Sequence, residues 1–440
     1  MDSVLQTRDL QGPEQAVQQL HSSLSKSQHQ ELLYALEAGE LLRQAKNYDA
    51  SNSAWFTADE QVKAWERAAM LDPAKLFSYL GASTVNERIK IYEGQDYEKT
   101  WLTTRIAMNH LAQNNWDHAR VAIRRSHERE AIIANFRSKE FAEIQEQSRE
   151  KGWNVLGDVL GNYPVQYIES PDVLALHNSY QNIFSHYLAG FIYEALGEPA
   201  LAAPGYRNAI ELAPSSELLK EGLRGLETRM RQSHNTNNHQ TDVLFIIETG
   251  NAPERTPFNV NLPFFYEDKE GELAVIYIPI AFPIIRPSPP AESLTLGLGE
   301  HRLKAELIMD LNLMARRALH DEMPGLIFRG MTRAASKGAL QYYANETDPL
   351  LGLAAALFSI TTEHADDRNW RTLPGNVLLA RAYLPPGIYP LQINGRETNQ
   401  NIQIDGRYAV VAIRTFGRLT LVAQTATHGK TSLTTTLQEE

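Results

Sequence analysis

Residues 182–214 read NIFSHYLAGFIYEALGEPALAAPGYRNAIELAP, and this stretch decides the architecture of the chain's first half. Gly190 and Tyr193 stand three residues apart, Ala202 and Tyr206 four apart, followed by Ala209 and Pro214. Steps of three and four keep side chains on one face of a helix. Gly190 and Ala202 allow two antiparallel helices to approach closely, and Tyr193 and Tyr206 fill the space beside them. Pro214 lacks the N–H that a continuing helix needs, so it ends the second helix. The stretch predicts one helix–turn–helix unit.

The small, aromatic, small, aromatic, small, proline order is that of a tetratricopeptide repeat (TPR), with His186 and Ala189 in the usual Trp and Leu slots. The spacing recurs elsewhere. Gly39 and Ser51 are separated by the same interval as Gly190 and Ala202, and Trp55 follows Ser51 as Tyr206 follows Ala202. In residues 97–129 Ala107 and Ala119 repeat the interval, with Ile123 four further on and Ser126 in the last small slot. Asn114 and Asn115 suit the intervening turn, and Asp117 suits the start of the next helix. The repeats are unevenly spaced, which predicts a TPR-like array with insertions.

Around the repeats, a short helix is expected after Pro13, with Ala16, Val17 and Leu20 as its apolar stripe. Residues 131–153 read as a long charged helix, and Gly157, Gly161 and Pro164 mark a loop excursion after it. Helices after Pro214 cap the array. The polar segment 231–242 contains no apolar residue and separates a helical domain, residues 1–232, from a β-rich domain, residues 241–440. In the latter, VLFIIE (243–248) and LAVIYIPI (273–280) are strand-like, and eight of the 21 prolines fall between Pro253 and Pro290. Helical spacing then runs from Leu307 to Pro324 and continues in LIFRGMTRAASKGALQYYA, so a helical pair is expected at about 301–345. LGLGE (296–300) reads as a turn. Strands resume from Asn376, with hairpin turns at Pro385–Gly387 and Asn394–Gly395. The expected class is α+β, an all-α TPR-like array followed by a β-sandwich-like domain carrying the helical pair.

Composition narrows the function. The formal charge of −11 over 440 residues argues against a general nucleic-acid binder, which needs excess Lys and Arg against phosphate. No apolar run approaches the ~18–20 residues of a membrane-spanning helix. Zero cysteines exclude disulfides, thiolate catalysis and cysteine-ligated zinc. GxSxG, phosphate-loop, HExxH and Rossmann patterns are all missing. The expectation is a non-enzymatic protein without cofactor or metal.

Candidate sites fall in four places. On the first helix of the best repeat, Asn182, Ser185 and His186 occupy variable positions where a groove would meet a protein or peptide partner. Arg329, Arg333 and Lys337 follow at i, i+4 and i+8, a face suited to a carboxylate, a phosphate or an acidic helix, or to ion pairs within the fold. His364, Asp366 and Asp367 have metal-capable side chains, but zinc or calcium needs three or more converging ligands and Asp also caps turns. Asp366, Asp367, Arg368, Trp370 and Arg371 read as a structural clasp, with Trp370 packed and the arginines paired to Asp366 or Asp367. Pro349–Ile360, the most apolar run, is either a buried helix or a docking surface.

The stretches YEGQDYEKTW (92–101), 178–214, FRGMTRAASKGALQYYA (328–344) and DDRNWRTLPGNVLLAR (366–381) together resemble a family of uncharacterised bacterial envelope proteins. Its members combine a TPR-like N-terminal half with a β-rich C-terminal half and are typically lipoproteins. The resemblance implies the periplasmic face of the outer membrane, with a lipid-bearing cysteine ahead of Met1; the start MDSVLQTRDLQGPEQ shows no signal region and reads as trimmed. It supplies no catalytic residues. The function expected is a scaffold or adaptor that holds a protein or peptide in the helical groove. The alternatives are a small-ligand or glycan-binding protein using the C-terminal domain, and a cytoplasmic location.

Overall fold

A computed structural model describes residues 1–25, 28–71, 91–151, 162–233, 240–267, 273–347, 365–416 and 419–429. The first half is helical: α1 (Asp2–Gln11), α2 (Pro13–Ser23), α3 (Leu32–Gln44), α4 (Tyr48–Leu71), α5 (Asp96–Ala112), α6 (Trp116–Glu150), α7 (Pro171–Leu174), α8 (Ile183–Ala195), α9 (Pro199–Leu212), α10 (Glu217–Arg224) and α11 (Leu226–Ser233). The second half holds β1 (Thr241–Thr249), β2 (Thr256–Glu267), β3 (Leu273–Ile284), β4 (Leu294–Leu298) and β5 (His301–Asp310). After α12 (Leu311–Thr347) come β6 (Asn376–Leu384), β7 (Gly387–Ile393), β8 (Arg396–Ile404), β9 (Tyr408–Phe416) and β10 (Leu419–His428). The arrangement is α+β.

The repeat spacing has a direct physical cause. A Cβ on Gly39 would lie 2.2 Å from the Trp55 Nε1, and one on Gly190 would lie 2.7 Å from the Tyr206 ring. The aromatic of each second helix therefore rests on the glycine of the first. The Ser51 hydroxyl donates to the Gly39 carbonyl at 2.7 Å, tying the two helices at the spacing that recurs in the repeats. Helices α3/α4, α5/α6 and α8/α9 are the three expected hairpins. Helix α6 runs on without a break through residue 150, so the long charged helix is the extended second arm of the middle hairpin.

Eight strands form one curled sheet in the order β10-β9-β1-β6-β5-β4-β7-β8, antiparallel except for β1 with β9. Its edge strands β10 and β8 approach each other, closing the sheet around an interior of Val243, Phe245, Ile247, Leu296, Ile402 and Val411. This replaces the expected sandwich. The hairpin of β2 and β3 forms a separate ribbon. LGLGE contributes to β4 before turning at Gly299, and the residues around Leu307 belong to β5, where Leu307 is exposed. The helical spacing counted from Leu307 thus began four residues early.

The expected helical pair is a single helix, α12, that passes through Pro324. Pro324 supplies no N–H to the carbonyl of His320, yet packing of Leu319, Met323, Leu326 and Ile327 in the core holds both sides of the break in line. Pro349–Ile360 and His364 lie outside the described residues.

The two halves share a core. On β1, Val243, Phe245 and Ile247 face the sheet interior while Leu244 and Ile246 face the helices. A strand buried on both sides needs a continuous apolar run, which VLFII provides. The same core takes in Phe191 and Ile192 of α8, Leu102 and Ile106 of α5, Leu36 of α3, and Val410 and Ala412 of β9. Helix α5 is buried from Asp96 to Asn109 and α8 from Phe184 to Ala195, on every side. The first helices of the hairpins are thus sandwiched between their partners and the chain's own sheet.

Candidate functional site

Among the described residues the sheet occupies the inner face of the array and buries the helices there. Asn182, Ser185 and His186, expected to meet a partner there, are 0%, 0% and 2% exposed. Asn182 caps α8, its side chain accepting from the Ser185 N–H at 3.0 Å. Ser185 meets the Ser126 hydroxyl at 3.2 Å, and His186 Nε2 lies 2.9 Å from Glu130. His186 also stacks on His127 at 4.4 Å, and burial followed by the neighbouring imidazole pushes His127 down to about 3. All three residues act inside the array.

Buried charge fastens helices to sheet at three points. In the first, Arg105 of α5 pairs with Glu248 of β1 and, at 3.2 Å, with Glu40 of α3. Arg414 of β9 sits in the same field, where burial lowers it to about 9 despite Glu248 and Glu40. In the second, Arg381 of β6 reaches Asp242 at 2.6 Å, Glu194 at 3.0 Å and the Tyr206 hydroxyl at 3.0 Å. Arg229 holds the same Glu194 at 2.6 Å. The signature tyrosine of the best-preserved repeat is therefore a link to the sheet.

The third is the clasp. The Trp370 N–H donates to Glu98 at 2.7 Å, and the Arg371 and Thr372 N–H groups donate to Glu37 at 2.7 and 3.0 Å. Trp370 is buried edge-on to Trp55, and its indole N–H donates to Thr372. Arg368 pairs with Asp366 at 2.8 Å as expected, whereas Arg371 reaches Asp2 and Glu254. The side chains pack the loop, and two array carboxylates hold its backbone.

Beside this clasp opens a cleft of about 790 Å³ between α5, α6, the segment around Val165–Tyr180 and the middle of α12. Gln95 and Glu98 form a capping box at the start of α5, which fixes Asp96 and Lys99 on the cleft wall. Burial opposes charge on Asp96, but Arg137 and Lys99 outweigh it and bring the carboxyl to about 2. Arg137 grips Asp96 through two nitrogens at 2.6 and 3.0 Å and also meets Glu140. The Lys99 ammonium lies 3.9 Å over the Trp65 ring. From α12 come Arg317, His320, Asp321, Glu322 and Arg329, and Pro324 and Gly325 shape that wall. Ile91, Phe141 and Val165 at the cleft are 70%, 41% and 37% exposed.

Of the expected basic face, Arg329 lines this cleft and Arg333 is buried; the side chain of Lys337 lies outside the described residues. Among the clasp residues, Asp366 also borders the cleft, so clasp and cleft meet. Sequence spacing missed the cleft because its walls come from segments as far apart as residues 91–99 and 317–329. The one local signal was Gln95–Glu98, a capping-box spacing. Among the described residues no three His, Asp or Glu side chains converge as a metal group, and no helix is long and apolar enough to cross a membrane. No family model, curated protein or solved structure matches the chain.

Proposed function

We propose that the protein is an interaction scaffold that holds a segment of a partner protein in the cleft between α5, α6 and α12. The observation that carries this reading is the exposure of three large apolar side chains that line it, Ile91, Phe141 and Val165. Exposed apolar side chains lining a cleft gain free energy when a partner removes them from water, at roughly 25 cal/mol per Å². The sheet packs on the inner face of the array, which supports a site at the seam between the halves in place of the groove expected there. A random peptide library displayed on phage tests this. Selected peptides should bind the protein and lose affinity for Phe141→Ser and Val165→Ser; binders indifferent to both substitutions overturn the reading.

A second reading, a small ligand or glycan in the same cleft, is supported by the cleft volume, within the ~300–1,000 Å³ usual for such sites. It predicts a thermal shift with one ligand class that Arg329→Ala removes. For the cellular setting, the resemblance of residues 178–214 and 366–381 to envelope lipoproteins supports the periplasmic face of the outer membrane. Palmitate labelling and recovery with outer membranes would support a lipid anchor, and recovery with cytosolic proteins would overturn it.

A further inference from the structure

Resting on the cleft as the interaction site, we infer that the partner segment is basic as well as apolar. Seven carboxylates line the cleft (Glu93, Asp96, Glu140, Glu169, Asp321, Glu322 and Asp366) against four permanent cations (Lys99, Arg137, Arg317 and Arg329). The two signs differ in placement as well as number. Lys99 and Arg329 are 2% and 8% exposed, and Arg137 is bound to Asp96 and Glu140. Of the other carboxylates, Asp321 is paired with Arg317 at 2.9 Å, Glu322 with Arg255 at 3.1 Å and Asp366 with Arg368 at 2.8 Å, whereas Glu169 is exposed and Glu93 half-exposed. An approaching chain therefore meets the carboxylates of Glu93 and Glu169 first, while Arg137 and Arg317 are paired within the wall and Lys99 and Arg329 are buried.

Low-dielectric walls focus such a field, which favours a cationic partner and repels an acidic one. The apolar rim sets the second requirement. A segment with Lys or Arg spaced between apolar anchors would pair with Glu93 and Glu169 while covering Ile91, Phe141 and Val165. The formal charge of −11 on the whole chain gives long-range attraction of the same sign. Affinity for such a partner depends on salt because its charges are partly exposed.

Fluorescence anisotropy with two labelled peptides tests the inference, one of Lys and Leu, the other of Glu and Leu with the leucines at the same positions. The Lys/Leu peptide should bind, more weakly as NaCl is raised, and the paired substitution Glu93→Lys/Glu169→Lys should weaken it roughly tenfold. Glu300→Lys/Glu397→Lys, at exposed positions outside the cleft, should leave binding nearly unchanged. Circular dichroism and melting temperature report whether each variant folds. Equal loss from both pairs, or equal binding of the Glu/Leu peptide, overturns the basic partner. If both peptides bind and Phe141→Ser weakens both, the cleft reading survives and the charge inference fails. If cleft substitutions affect neither peptide, or the protein self-associates through Phe141, both fall.

Discussion

The Glu98 carboxylate accepts a hydrogen bond from the backbone N–H of Trp370 at 2.7 Å, across 272 residues of chain. The same side chain accepts from the Gln95 N–H at 3.0 Å and from the Tyr92 hydroxyl. One buried carboxylate thus starts α5, positions a cleft residue and anchors the loop leading into β6. Glu98→Ala leaves the Trp370 N–H buried without an acceptor, so a loss of about 1–3 kcal/mol is expected in urea unfolding. Glu98→Gln keeps an acceptor and should cost less; equal losses would show that the hydrogen bond to Trp370 matters little.

Gly39 and Trp55 form the tightest contact of the repeats. Gly39→Ala should destabilise by about 1–3 kcal/mol, the usual cost of overpacking. Shrinking the ring in Trp55→Leu makes room, so the double substitution should be distinctly less than additive. Additive losses measured in the cycle would show that the two residues do not share space.

The fold should lose stability in acid through His127. Its folded value is near 3 against an ordinary 6.5, so the unfolded chain binds the proton first. The contribution is complete above about 6.5 and is lost as pH falls towards 3. His127→Phe should flatten stability against pH in that window; an unchanged slope would mean that His127 is protonated in the folded chain.

Glu37 carries the opposite sign. Burial raises it from 4.5 to about 7, against the hydrogen bonds from Thr372 and Arg371. Its contribution is complete below about 4.5 and is lost as pH rises through 7. Comparing stability at about pH 5 and about pH 8, Glu37→Gln should shrink the difference, whatever it costs in absolute terms. A larger difference in the variant would contradict this.

Arg381 compensates two buried carboxylates, Glu194 and Asp242. Arg229 still holds Glu194 at 2.6 Å but lies 4.0 Å from Asp242, so Arg381→Ala strands the buried Asp242 and should cost about 3–5 kcal/mol. Arg381→Lys should recover little, since a single ammonium cannot reproduce the fork to Asp242 and the contact with Tyr206. A lysine variant as stable as the parent protein would refute the geometric argument.

Much of the helical half was legible because its determinants are local. Glycine, serine or alanine at a fixed interval before an aromatic identifies a hairpin, since both residues come from adjacent helices. Strands such as 243–248 were legible by their apolar run. Pro324 misled because tertiary packing carried α12 through a residue that breaks isolated helices. The strands β4 and β5 were hidden because LGLGE and HRLKAELIMD have weak alternation and take their pairing from β6 and β7.

The hairpins and the α-to-β order could be read from the chain alone, because their determinants are side chains close in sequence; that Trp370 packs could also be read, but not that Trp55 and Glu98 hold it. Which faces stayed open was settled by tertiary packing. It brought the apolar outer face of β1 and β9 against α3, α5 and α8, because those faces bury more surface on each other than in water. That docking turned Asn182, Ser185 and His186 into core and opened the acidic cleft along the seam, where residues 91–99, 137–141, 165–169 and 317–329 meet.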